Sequence, residues 1–124
     1  MKYVFIKGRV SLFDKPELTS QHIDEALFGM KCEILEENGD FFKVRTEYGY
    51  EGFVLKTMIE SADYEPDAIV IAPSTDVYPE ARLYHSPLEV LPRGARVKLG
   101  KACEDARFRE IIMPSGETRY VFIR

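Results

Sequence analysis

The sequence predicts an all-β chain built as two small β-barrels in tandem, and three observations carry that expectation. One is an internal duplication: a Gly turn, two strand-like runs and an aromatic-Val ending occur before residue 60 and again after residue 70. Matched turns lie 65 residues apart from Gly29 to Gly94 and 67 apart from Gly49 to Gly116, too long for a stacked solenoid and right for two domains. Another is the density of hairpin signals, of which Asn38-Gly39-Asp40 between alternating runs is the strongest. The last is bulk: 124 residues divide into two units of about 60, near the lower limit for independent folding, and eight Phe with seven Tyr help fill two small cores.

Along the first half, Tyr3–Ile6 and then Val10–Phe13 read as the opening β segment. Asp14–Glu25 is polar and contains Pro16, which favours a long loop. Within it, Ser20 is a candidate N-cap for one helical turn, with Ile23 and Leu27 four apart on one face. Met30–Leu35 alternates as a strand. In Phe42-Lys43-Val44-Arg45 the alternation places Phe42 and Val44 on one face and the two cations on the other. Glu47-Tyr48-Gly49 is the next turn, Tyr50–Leu55 the next strand, and Lys56–Ile59 a short helical turn.

The stretch 60–68 is acidic, contains Pro66 and lacks periodicity, so the expected division is a first barrel over 1–61, a linker over 62–68 and a second barrel over 69–124. Ile69-Val70-Ile71 restarts the β pattern, Pro73–Pro92 reads as a second long loop, and Tyr120–Ile123 as the last strand.

A net charge of −4 with scattered Lys and Arg argues against sequence-independent nucleic-acid binding. No segment approaches the ~20 apolar residues of a membrane span, and Met1–Ile6 is too short for the apolar part of a signal peptide. The expectation is a soluble chain, cytoplasmic as written and exported if a leader preceded Met1. Two cysteines make no disulfide framework, and Cys32 reads as a core thiol and Cys103 as a surface thiol. Glu36–Asp40 fails the calcium-loop pattern, and neither metal nor cofactor is expected.

The polar first loop, Leu27-Phe28-Gly29, the Asn38-Gly39-Asp40 turn, the aromatic-x-Val strand and Gly49-Tyr50-Glu51-Gly52-Phe53-Val54 together resemble a bacterial SH3-like domain, with Phe53 where Trp is usual. Val77-Tyr78-Pro79-Glu80 through Gly94-Ala95-Arg96-Val97 is similar to the second SH3-like domain of NlpC-type cell-wall peptidases, the γ-D-glutamyl-L-diamino acid endopeptidases and dipeptidyl-peptidases of murein peptides. The resemblance implies two tandem SH3-like barrels and a ligand that is a murein peptide or peptidoglycan, or else a catalytic peptidase domain as partner. Those enzymes continue into a papain-like domain with a Cys nucleophile in an Asp-Cys-Ser-Gly context, which this sequence lacks, so the chain is expected to be non-catalytic.

In that family the first domain borders the catalytic cleft and helps select the substrate's N-terminal residue. The resemblance carries Tyr50 over as a ligand-binding residue, and Glu25 by its position before Ala-Leu-Phe-Gly. Read from the residues, Glu17, Asp24 and Glu25 supply carboxylates beside Tyr48 and Tyr50, a combination suited to a peptide's free amine, although a solvated loop over a core tyrosine explains them equally. Tyr78-Pro79 and Tyr84 admit a proline-binding groove or plain packing. Two other functions stay open: a protein-protein adaptor, and a thiol hydrolase using Cys103 and His85, which requires the two side chains within hydrogen-bond reach.

Overall fold

The structure, a computed structural model, describes residues 2–83 and 86–123. It is all-β, and its contacts divide it into two units, Met1–Asp63 and Tyr64–Arg124. The first holds β1 (Tyr3–Phe5), β2 (Arg9–Phe13), β3 (His22–Leu27), β4 (Lys31–Asn38), β5 (Phe41–Thr46), β6 (Glu51–Leu55) and β7 (Ile59–Ser61), with a 3-10 turn at Lys56–Met58. The second holds β8 (Ala68–Ile69), β9 (Ser74–Tyr78), β10 (Glu89–Pro92), β11 (Arg96–Ala102), β12 (Phe108–Ile112) and β13 (Thr118–Phe122).

The duplication read from the sequence is present as topology. The first sheet runs β3-β2-β6-β5-β4-β1-β7 and the second β10-β9-β13-β12-β11-β8. Matching β8 with β1, β9 with β2 and so on makes the two orders identical apart from the added β7. The matched turns agree in detail. Gly29 and Gly94 have φ of 84° and 94°, Gly49 and Gly116 have 90° and 92°, a region where a side chain is strained. Gly29 N donates to Phe5 O as Gly94 N donates to Val70 O, and Gly49 N to Thr46 O as Gly116 N to Met113 O.

In the first unit Phe5, Val10, Leu12, Ala26, Val44, Val54 and Ile59 share one buried cluster. Ala26 on β3 and Ile59 on β7 stand at opposite edges of the hydrogen-bonded order, so the sheet must curl strongly to bring them to one core. It does not close: β3 and β7 do not pair, and β10 and β8 leave the second sheet open in the same way. The expectation of closed barrels is corrected to two curled, open antiparallel sheets.

Three segments read as loop are strands. His22–Leu27 pairs antiparallel with β2 from Arg9↔Leu27 to Phe13↔His22, in place of the expected loop and helical turn. Ser20 does not cap a helix; its Oγ donates to Glu17 O and Lys15 O and closes the loop back on itself. Within the expected Pro73–Pro92 loop, Ser74–Tyr78 and Glu89–Pro92 pair with each other. Their polar residues and prolines hide the pattern, and Pro92 is tolerated because it ends an edge strand.

The acidic stretch read as a linker is divided between the units: Ala62 and Asp63 bond to Lys2 of the first, and the part from Tyr64 on is pinned to the second. Tyr64 is buried; its hydroxyl donates to Ile112 O at 2.8 Å and accepts from Lys98 N at 3.0 Å. An Asp67 carboxylate oxygen accepts from Leu99 N at 2.8 Å.

Candidate functional site

Two tyrosines stand out on the first unit because they are large, exposed and held in place. Tyr48 and Tyr50 are 47% and 60% exposed and flank Gly49 in the turn between β5 and β6. The turn is rigid for a local reason. Buried Thr46 donates its N–H to Tyr50 O at 2.7 Å, and its side-chain Oγ1 accepts from Tyr50 N at 3.1 Å. The two rings meet edge to face, centroids 6.0 Å apart at 79°. The Tyr48 hydroxyl donates to Met30 Sδ at 3.1 Å, a weak acceptor.

Asp24, on β3 two residues before buried Ala26, belongs to the same neighbourhood. The Tyr48 hydroxyl is pushed above its ordinary pKa by partial burial first, then by the Asp24 charge and by Tyr50. One Asp24 carboxylate oxygen, Oδ2, is shut off from solvent and has no hydrogen-bond partner. A buried acceptor left unpaired is costly and rare, and beside two exposed aromatic rings it marks a place suited to a donor from outside the chain.

The structure separates the other expected carboxylates from this pair. Glu25 points to the opposite face of β3, where its Oε1 pairs with Arg9 Nη1 at 3.1 Å. Glu17 is exposed in the loop 14–21, where its backbone accepts from Ser20, and no hydrogen bond links its carboxylate to either tyrosine among the described residues. The pattern of β3 held the signal for Asp24: it alternates with buried Ala26 and pairs across the ladder with buried Leu12, while a bulge sets exposed His22 opposite Phe13, and a loop reading of the segment obscures this.

Across the sheet, Arg45 bridges Glu33 at 2.6 Å and Glu51 at 3.0 Å, so the charges beside the turn's other flank satisfy one another. Cys32 is buried, and burial pushes its thiol up to about 12, far from nucleophile chemistry. Cys103 is half-buried and free, while Tyr84 and His85, invoked for a groove and for a thiol hydrolase, lie outside the described residues. Among the described residues no group of three or more His, Cys, Asp or Glu is arranged to hold a metal ion, and no helix is long and apolar enough to cross a membrane.

No family model matches the sequence. Over 54 residues, 43% of its length, the chain is 39% identical to dipeptidyl-peptidase 6 of Lysinibacillus sphaericus, of which that stretch is 20%. Its fold is similar to the crystal structure of an NlpC/P60 family protein from Bacillus cereus ATCC 10987, with a TM-score of 0.79 at 16% identity, covering 98% of this chain and 54% of that one. The chain therefore spans about half of the solved protein it resembles and a fifth of the curated relative, and its fold is similar to that of part of an NlpC/P60 family protein.

Proposed function

We propose that this chain is a non-catalytic recognition module for short murein peptides, of the kind that accompanies NlpC-type peptidases, and that its two units, about 1–61 and 69–124, are open variants of the SH3-like barrel. The observation that carries the reading is the unpaired Asp24 Oδ2 beside the Tyr48–Tyr50 pair. A peptide's terminal ammonium has three donors and a positive charge. Asp24 supplies the acceptor and the countercharge, and the two rings supply an apolar, electron-rich wall. Tyr50 and Tyr48 contact the ligand and Asp24 binds its amine, while Glu25, paired with Arg9 on the opposite face of β3, and Glu17, in the loop 14–21, stand apart from it.

Similarity to dipeptidyl-peptidase 6 and to an NlpC/P60 family protein supports the choice of ligand class. Burial of the Cys32 thiol supports a module that binds without turnover. Titration calorimetry of the 124-residue chain with L-Ala-γ-D-Glu-diamino acid tripeptide, with hydrolysis assayed in parallel, tests this. Saturable binding without product release is expected; release of dipeptide would overturn the non-catalytic assignment.

A further inference from the structure

Separate from the amine site on the first unit, the second unit has a cavity of about 470 Å³, within the range of small-molecule pockets. Its walls come from β8, the start of β9, β11, β12 and β13 and the segment between β8 and β9. The lining is aliphatic, including Ile69, Ile71, Val97, Leu99, Ile111 and Val121. At the mouth Ile71 is 81% exposed and Ile69 54%. Three polar side chains line it: Ser74, Thr75 and Arg109.

Arg109 is the anomaly. It alternates with fully buried Ile111 on β12 and pairs across the ladder with Val121, positions that call for hydrocarbon. Neighbouring arginines have countercharges: Arg107 pairs with Asp105 at 2.7 Å and Arg119 with Glu117 at 2.9 Å. The Arg109 guanidinium makes one bond, Nη2 to Gly100 O at 3.0 Å, and forms no ion pair among the described residues. Its Nε is shut off from solvent with no partner at all. A guanidinium in an apolar wall, with unused donors and no counterion, is suited to a carboxylate held by two parallel N–H bonds.

We propose that this cavity binds a medium-chain aliphatic carboxylate, its head on Arg109 and its tail along the Ile, Leu and Val lining. A peptide body fits less well, because each residue brings an amide that needs a partner, and beyond Arg109 the walls offer only the two hydroxyls of Ser74 and Thr75 as polar side chains.

The test is an NMR titration of the 124-residue chain with octanoate, octanamide and N-acetyl-dileucine, following Ile111 and Val121 methyl signals. Octanoate is expected to saturate the shifts and octanamide to bind about tenfold more weakly or worse, since only the anion uses the charge. Arg109→Met should erase that preference with the fold intact by circular dichroism, and Ile71→Ser at the exposed mouth should weaken both ligands without touching the core. Equal affinity for acid and amide in the wild-type chain, or no saturation, would overturn the proposal. Tighter binding of N-acetyl-dileucine would overturn it in favour of peptide C-termini.

Discussion

Replacing Tyr64 with Phe removes one oxygen atom and leaves the ring's packing in place, yet the structure predicts a large effect. That hydroxyl donates to Ile112 O and accepts from Lys98 N, so its loss breaks two hydrogen bonds and leaves one carbonyl and one amide without their partner in a protected place. Each lost bond with a stranded group costs about 1–2 kcal/mol, for a total of about 2–4 kcal/mol. In a unit of about 60 residues each kcal/mol moves the midpoint by roughly 4–8 °C, so the second unit should melt at least about 8 °C lower. The assay is thermal and urea unfolding followed through amide signals of Ile111 and Val121, with the first unit's Val44 and Val54 as internal controls. A loss below about 0.5 kcal/mol would refute the reasoning and return residues 62–68 to the status of a plain linker.

Cys32 gives an alkaline signature. Its thiol is held neutral up to about 12 against 9.0 for a free one, so between those values the native chain keeps a proton that the unfolded chain has lost. Stability should therefore be full below about pH 9 and fall as pH rises toward about 12; Cys32→Ala should flatten that decline, and a thiol reagent at pH 8 should label Cys103 while sparing Cys32 until unfolding. Gly52→Ala should cost about 1–3 kcal/mol in urea unfolding, because its new methyl carbon would stand 3.0 Å from Leu12 Cβ and 3.2 Å from Phe13 O, neither free to move; an unchanged midpoint would contradict it. Asp105 is held at about 2, first by its side-chain hydrogen bond to Arg107 and then by the Arg107 backbone N–H. Its contribution to stability is present above 3.8 and lost as pH falls through about 2, and carboxyl NMR of Arg107→Ala should find it back toward 3.8.

Where local chemistry decides the conformation, the sequence was readable. Gly29, Gly49, Gly94 and Gly116 sit at left-handed turns where the duplication placed them, and Asn38–Phe41 closes its hairpin around Gly39 at φ 60°. Where tertiary pairing decides, it was not. β3, β9 and β10 carry charged residues or proline and become strands because a neighbour offers a ladder to complete. Tyr64 in an acidic stretch gives no sign of burial, since its partners lie 34 and 48 residues away. The candidate site divides along the same line. The Gly-Tyr-x-Gly element singled out Tyr50, with Tyr48 beside it in the turn, as a candidate, whereas the choice of Asp24 over Glu17 and Glu25 depends on which carboxylate the register of β3 turns inward. That register is a property of the sheet rather than of the loop's composition.

The most direct test of the central claim is titration calorimetry of the tripeptide L-Ala-γ-D-Glu-diamino acid, with a free and with an acetylated amine, against the wild-type chain, Asp24→Asn and Tyr50→Ala. The account predicts saturable binding of the free amine, weakened roughly tenfold or more by Asp24→Asn through loss of the charge-assisted bond. Tyr50→Ala should weaken it as well, and the acetylated peptide should bind poorly to all three. Equal binding of both peptides, an unaffected Asp24→Asn, or no binding at about 10 mM, where affinities are already near −3 kcal/mol, would contradict it.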